Sequence, residues 1–228
     1  MLTVVKIGGG LSDGALPALC ATLGELGQRH PLLVVPGGGG FADAVRDADR
    51  RFRLRPPTSH RMAILGMEQF GWLLGDLIPG AVRCTGLPQQ ERRQTPFLQD
   101  AGRTTVLLPA GLPLEALPAS WQVTSDSIAA WVAERAGAGR LVLVKDVDGL
   151  FPDWPPRGEP LARLSVEELA ALRAGGVDEH LPAMLGGARF ETWVIGGRDP
   201  ARVAELLDRG TTAGTRIARA RLLPCGHE

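Results

Sequence analysis

Short runs of apolar, β-branched residues alternate with helical patterns along this chain of 228 residues. Five such runs have strand length, at residues 2–7, 32–36, 104–108, 141–144 and 192–197. They are too apolar to leave one face in water, which is typical of parallel strands covered on both sides. The alternation therefore predicts an α/β fold with a mostly parallel central sheet and helices on both faces.

Apolar residues recur at helical spacing in the segments between these runs. We predict helices at residues 15–29, 41–52, 59–77 and 125–136, a short one that ends at residue 172, and one that begins at Pro200. Ser12 or Asp13 is expected to cap the first helix and Ser59 the third, while Ser165 and Glu168 form a capping box. The proline-rich residues 53–58 and 152–160 are interpreted as surface loops.

Two glycine loops follow the first two predicted strands. They contain Gly8, Gly9 and Gly10, and then Gly37, Gly38, Gly39 and Gly40. Bare backbone amides at a strand-to-helix turn form an anion cradle, although tight turns for close packing would need the same glycines. Neither loop fits the dinucleotide fingerprint or the P-loop, so we predict phosphate cradles of another kind.

Only two of the 25 basic side chains are lysines, Lys6 and Lys145. Lys6 ends a buried strand just before the first glycine loop. A compact ammonium group there would stabilise charge on a transferring phosphoryl group. The structural alternative is a lysine that pairs with a buried acid.

Two further polar stretches follow predicted elements. The first is the string TSDS, in which Thr124 or Ser125 would cap a helix and Asp126 would orient Lys6. The second, KDVDGLF, follows the most apolar strand and is expected to hold a nucleotide, with Lys145 near its phosphates; the alternative is an ordinary turn at Asp148 and Gly149.

Composition argues against several classes of protein. The formal net charge is zero, whereas a nucleic-acid or membrane-surface protein would be basic. No apolar run approaches the length of a membrane span, and no signal-type stretch opens the chain. Three scattered cysteines favour a reduced, cytoplasmic setting, and Cys225 with His227 lacks the second ligand pair that a metal site needs.

Four co-linear motifs, at residues 6–10, 35–46, 124–133 and 144–151, resemble the amino acid kinase family. The resemblance implies one domain with a three-layer α/β/α fold, in which residues 1–139 bind the phosphate acceptor and residues 140–228 bind Mg-ATP. It assigns phosphate binding to Lys6, Gly8 and Gly9, acceptor contacts to Gly38 and Gly39, and orientation of Lys6 to Asp126. The nucleotide would lie on Lys145, Asp146, Asp148, Gly149, Leu150 and Phe151.

A narrower resemblance, at residues 58–72, 121–127, 177–185 and 196–207, is to the methanofuran-pathway branch of that family. This branch phosphorylates (5-(aminomethyl)furan-3-yl)methyl phosphate to the diphosphate. In that interpretation Ser59 and His60 meet the phosphate already on the acceptor, with Thr124 and Ser125 nearby. Other small acceptors stay open, namely UMP, isopentenyl phosphate, carbamate or an amino-acid carboxylate, as does a non-catalytic role in binding nucleotide or oxyanion. The family is usually oligomeric, so a homo-oligomer is expected.

The chain departs from the family pattern in one respect. Many members carry a second catalytic lysine in a late GGM-x-x-K segment, but residues 181–190 contain no lysine here. We hypothesise that Lys145 supplies the missing charge to the β- and γ-phosphates. The alternative is that Lys145 merely pairs with Asp146 or Asp148.

Overall fold

The computed structural model describes residues 1–11, 14–87, 102–172 and 175–218. The predicted cap at Ser12 or Asp13 lies outside these ranges, as do Cys225 and His227. Within them, no helix is both long enough and apolar enough to cross a membrane.

A single eight-stranded sheet forms the centre of the described chain. Its strands are β1 Thr3–Ile7, β2 Leu32–Pro36, β3 Val82–Cys84, β4 Thr104–Leu107, β5 Arg140–Lys145, β6 Arg163–Ser165, β7 Glu191–Gly196 and β8 Thr215–Ala218. They are arranged in the order β3-β4-β2-β1-β5-β7-β8-β6, and all neighbours are parallel except β7 and β8. The predicted mostly parallel sheet is confirmed, and β1, β2 and β5 lie side by side at its centre.

Seven helices cover the sheet within the described ranges. They are α1 Leu16–Gly27, α2 Gly39–Phe52, α3 Pro56–Leu77, α4 Ser125–Arg135, α5 Val166–Ala171, α6 Leu181–Leu185 and α7 Ala201–Arg209. The capping box predicted for α5 is present, since Ser165 Oγ accepts from the Glu168 amide and the Glu168 carboxylate accepts from the Ser165 amide.

Successive residues of the central strands enter two separate cores, as the pleat of a strand requires. Val4 packs in the core that includes α4, while Val5 and Ile7 pack in the core that includes α1. Both cores are closed to solvent, with Val4, Val5 and Ile7 fully buried. The sheet is therefore the middle of three layers.

The predicted start of α3 is wrong. We expected Ser59 to cap this helix, but the helix begins at Pro56, so residues 56–58 belong to its first turn and not to a loop. Proline suits the first turn because its missing N–H is not needed there. Ser59 lies inside the helix, is buried, and donates from Oγ to Asp49 Oδ1 at 3.0 Å.

Candidate active site

The pleat of β1 and β5 turns both lysines of the chain toward the same helix. Lys6 follows Val4 by two residues and lies in register with Leu143, which Lys145 follows by two residues. Val4 and Leu143 belong to the core that includes α4. Because side chains two residues apart lie on one face of a strand, Lys6 and Lys145 both point to the α4 side.

Asp126, in the first turn of α4, receives both ammonium groups. Lys6 Nζ lies 2.8 Å from Asp126 Oδ1, and Lys145 Nζ lies 2.6 Å from Asp126 Oδ2. The side-chain exposures of Lys6, Lys145 and Asp126 are 5%, 12% and 3%. We call these three residues the lysine–aspartate cluster; it carries one net positive charge in a site that is nearly closed to water.

Burial and mutual attraction oppose each other in this cluster. Burial alone would raise the pKa of the Asp126 carboxyl, but Lys145 and Lys6 outweigh it and hold that pKa well below its usual range. Burial lowers the pKa of Lys145 to about 8. The attraction of Asp126 raises this pKa, whereas the repulsion from Lys6 lowers it further. The cluster is therefore held together by its one carboxylate.

Asp178, which sequence reasoning missed, fixes the N-terminus of α4. Its Oδ2 accepts from the Thr124 amide, the Thr124 hydroxyl and the Ser127 amide, each at 2.9 Å. Its own backbone amide donates to Asp126 Oδ2 at 3.2 Å. The cap predicted from TSDS is thus supplied by a carboxylate from a distant segment, and the Thr124 side chain makes no capping hydrogen bond to its own helix.

The two glycine loops lie side by side beyond the ends of β1 and β2. A Cβ atom on Gly9 would overlap the backbone of Gly39, so the loops touch at a point where Gly9 has no room for a side chain. The amides of Gly8 and Gly37 donate to Val144 O at 2.8 Å and Ile7 O at 2.9 Å. These two amides help to join the loops to the sheet, and phosphate binding at Gly8 and Gly37 stays a prediction.

The remaining amide donors cluster at the N-terminus of α2. Gly38 is its N-cap residue, Gly39 and Gly40 open the helix, and the first backbone bond of the helix runs from Ala42 N to Gly38 O. The first N–H groups of a helix have no partner within it, and the helix dipole adds positive potential there. A Cβ on Gly10 would collide with the carboxylate of Asp146, which brings the nucleotide loop against the first glycine loop.

The Gly9–Gly39 contact gives a prediction about stability. Gly9→Ala should lower the free energy of unfolding by about 1–3 kcal/mol, because the new methyl group meets backbone that cannot rotate away. Gly40→Ala is the matched control from the neighbouring loop, since nothing lies within 4 Å of its added Cβ. Denaturant unfolding of both variants measures the difference; equal stabilities would show that the loops can separate.

A cleft lies beside the second glycine loop. It is lined by α2, α3 and the start of α4, with Gly38, Ile64, Met67 and Ser125 among its walls. His60, Thr124 and Ser125, which were predicted to bind the acceptor, all line it, whereas Ser59 does not. The unpredicted Arg46 and Trp121 also line the cleft, with the Arg46 guanidinium 5.1 Å from the Trp121 ring centre.

The predicted nucleotide-binding loop leaves the sheet directly after Lys145. Asp146 and Asp148 are exposed, and Asp148 Oδ1 pairs with Arg202 Nη1 at 2.8 Å. Leu150 and Phe151 are buried, and the Leu150 amide donates to Thr215 Oγ1 at 2.8 Å. The φ of Gly149 is +153°, and a Cβ atom added there would collide with Thr215 and Pro160. Buried Leu150 and Phe151 anchor the loop, and the two acids face solvent.

No group of three or more His, Cys, Asp or Glu side chains in the described ranges could hold a metal ion by itself. Next to the first glycine loop, the carboxylate of Asp146 is exposed and stands against Gly10.

Glycine loops at the carboxyl ends of parallel strands, together with two buried ammonium groups, define an enzyme that transfers phosphoryl groups. A model of the amino acid kinase family matches residues 1–189. The chain belongs to this family and is a phosphotransferase, and the family implies a nucleotide as phosphoryl donor.

Three similar proteins show how far the likeness extends. The [5-(aminomethyl)furan-3-yl]methyl phosphate kinase of Methanocaldococcus jannaschii is 28% identical over 217 residues, which are 94% of this chain and 96% of that protein. The acetylglutamate kinase of Saccharopolyspora erythraea is 38% identical over 98 residues, covering 40% of this chain and 32% of that protein. The crystal structure of uridylate kinase from Archaeoglobus fulgidus superposes with a TM-score of 0.71 at 21% identity, over 95% of this chain and 99% of that one, and shows the shared fold.

Proposed function

We propose that this enzyme transfers the γ-phosphoryl group of ATP to the phosphate of [5-(aminomethyl)furan-3-yl]methyl phosphate and forms the diphosphate, as a step in making a methanofuran-type cofactor. The observation that carries the proposal is the lysine–aspartate cluster beside two glycine loops. The relative that matches nearly the whole length of this chain has this activity in its name. A cleft with mostly apolar walls that opens beside amide donors suits a small ring that carries a phosphate.

The proposed transfer needs little covalent chemistry from the protein. An oxygen of the acceptor phosphate bonds to the γ-phosphorus while the bond between that phosphorus and the β–γ bridging oxygen breaks, and ADP leaves. The acceptor oxygen is already ionised, so no general base is required. Lys6 neutralises charge on the transferring group, and amides of Gly10, Gly38, Gly39 and Gly40 hold the phosphates in line.

The two halves of the chain divide this work. Residues 1–139 supply every wall of the cleft, which supports their assignment to the acceptor. Residues 140–228, with the loop from Lys145 to Phe151, would hold ATP. Mg²⁺ carried by the nucleotide would supply further neutralisation of phosphate charge. A homo-oligomer and a cytoplasmic location stay predictions from the sequence.

The test is an acceptor screen with Mg-ATP, read by ADP release and by ³¹P NMR of the product. The panel contains [5-(aminomethyl)furan-3-yl]methyl phosphate, UMP, isopentenyl phosphate, carbamate, aspartate and acetylglutamate. We expect turnover of the furan phosphate with a new diphosphate signal. Preference for any other member, or ATP binding without turnover of any of the six, would contradict the proposed acceptor.

Lys145 is proposed to replace the late lysine that many family members carry. Its ammonium group pairs with Asp126, which also pairs with Lys6. Only this carboxylate therefore separates Lys145 from the proposed transfer centre. Lys145→Met should therefore lower kcat by about 10²–10³-fold, the usual effect of removing one preorganised donor. Full turnover with unchanged affinity for ATP would show that Lys145 is only structural.

The proposed role of Lys145 also predicts how the activity depends on pH. Lys145 is charged below its lowered pKa of about 8 and loses the charge as the pH rises through that value. The kcat/KM for ATP, which reports the enzyme before ATP binds, should therefore fall above about pH 8. This fall should be absent in Lys145→Met, whose residual activity stays level over the same range.

A further inference from the structure

The cleft runs along two antiparallel helices and has chemically different ends. On α2 it is lined by Gly38, Ala42 and Arg46, and on α3 by His60, Ile64 and Met67. Ser59 bonds to Asp49 near the end of α2, whereas Gly66 packs against Ala42 near its start, so the helices run in opposite directions. His60 therefore lies toward the Arg46 end, about 12 Å along α2 from Gly38.

The imidazole of His60 has a nitrogen without a partner. Nε2 is buried and has no hydrogen-bond partner among the described residues. Burial lowers the pKa of His60 below its ordinary value of 6.5, which favours the neutral ring. A neutral imidazole can accept a hydrogen bond through one of its two nitrogens.

Two other polar side chains at this end can only donate. The Trp121 indole donates from Nε1 to Asp49 Oδ2 at 2.6 Å, and the Arg46 guanidinium is paired with Asp43 at 2.6 Å. Among the described residues, no carboxylate lines the cleft. Besides the hydroxyls of Thr124 and Ser125, the lining side-chain atom that could accept from a ligand's donor is His60 Nε2.

We propose that His60 Nε2 accepts a hydrogen bond from the protonated amine of the acceptor while the acceptor's phosphate lies at the Gly38 end. This inference rests on the proposed function and names the group that sets its specificity. It differs from the sequence-based expectation, in which His60 meets the phosphate. A neutral acceptor suits an ammonium group, and an anion would instead meet the unshared electron pair of Nε2. The phosphate is served by the amides at the start of α2.

The experiment compares two acceptors in four enzymes. The acceptors are [5-(aminomethyl)furan-3-yl]methyl phosphate and the analogue in which a methyl group replaces the aminomethyl group. The enzymes are the wild type, His60→Leu, His60→Gln and His30→Leu, the last being a control because His30 lies on the surface against Asp208. The readout is the ratio of kcat/KM for the two acceptors, which cancels any general loss of active enzyme.

We expect the wild type and His30→Leu to prefer the amine by about 10- to 100-fold, which is the effect of one hydrogen bond to a charged group. His60→Leu should reduce this ratio to about threefold or less, and His60→Gln, whose amide oxygen can accept in place of Nε2, should restore part of it. An unchanged ratio in His60→Leu would overturn the inference and leave the proposed function standing. No turnover of the furan phosphate by the wild type would overturn both.

Discussion

Lys6→Met should lower kcat by about 10³-fold or more while the protein still folds and binds ATP. Lys6 is the cationic side chain that β1 carries to the foot of the glycine loops, and its Nζ is held by Asp126 Oδ1 at 2.8 Å. A cation that neutralises a transferring phosphoryl group contributes about 10³–10⁵-fold to kcat in related chemistry. Because methionine keeps the length of the side chain, the variant removes the charge and little packing.

The effect on folding should be small by comparison. Asp126 keeps its second partner, since Lys145 Nζ lies 2.6 Å from Oδ2, so the variant leaves no buried carboxylate without a cation. The cost of removing one partner from a buried ionic group arises from the charge left uncompensated, and here a neutral pair of Lys145 and Asp126 remains. We therefore expect the free energy of unfolding to change by about 1 kcal/mol or less.

Val5→Ala is the matched control from the same strand. Val5 is fully buried but points into the opposite core, away from the cluster. It should lose stability through the cavity that the missing methyl groups leave, without a change in kcat. Near-normal kcat in Lys6→Met, or a kcat loss of the same size in Val5→Ala, would remove Lys6 from the proposed mechanism.

The central half of the fold can be predicted from the sequence because its strands have a clear apolar pattern. The runs that became β1, β2 and β5 are mostly apolar and lead directly into glycine or lysine, so their burial can be predicted without the structure. The two-residue period of a strand also predicts that Lys6 and Lys145 point to the same side of the sheet. Each lies an even number of residues from side chains of the core that includes α4. That signal is in the sequence, yet it becomes useful only when β1 and β5 are known to be neighbours.

Short strands at the rim of the sheet cannot be predicted from the sequence alone. The strands β3, β6 and β8 have three or four residues each, which is too few for a period to be visible. The start of α3 was misplaced because two prolines suggest a loop, although both are compatible with a first turn. In each case the local pattern is shared by two kinds of structure, and tertiary packing selects between them.

The role of Asp178 could not be predicted from the sequence for a different reason. Its carboxylate caps α4 from more than 50 residues away, and its amide contacts Asp126, so its role depends on how two distant segments meet. The string TSDS by itself suggests a self-capped helix, and no local rule would look for the cap elsewhere. The same holds for His60, where the unpartnered Nε2 is a property of the packed cleft and not of the residues around it in the sequence.

Asp126→Asn should be the most destabilising single change in the site. It keeps the shape of the side chain but removes the only carboxylate that holds Lys6 and Lys145 in the described cluster. Breaking a buried ionic group by removing one partner typically costs about 3–5 kcal/mol, because the opposite charges are left without compensation. The same change should lower kcat by about 10²–10³-fold, since Lys6 loses the group that orients it.

The pH dependence distinguishes this electrostatic cause from a loss of packing. The folded-state pKa of Asp126 is depressed, so its contribution to stability is present above the ordinary carboxyl pKa and is lost as the pH falls through the folded value. The gap in stability between wild type and Asp126→Asn should therefore narrow in strong acid. It should also narrow as the pH rises past about 8, where Lys145 can shed its proton and no longer needs a counter-charge.

Denaturant unfolding from pH 5 to pH 10 compares the wild type with Asp126→Asn under the same conditions and tests the narrowing at high pH. Asp208→Asn is the control, because Asp208 is an exposed acid that contacts Arg29 and His30 on the surface. Exposed pairs contribute little, so this variant should follow the wild type across the range. A constant gap between Asp126→Asn and the wild type at every pH would mean that the loss comes from the changed hydrogen bonds of the side chain and not from its charge. A gap that closes toward pH 10 would identify the charge of Lys145 as a reason Asp126 is needed.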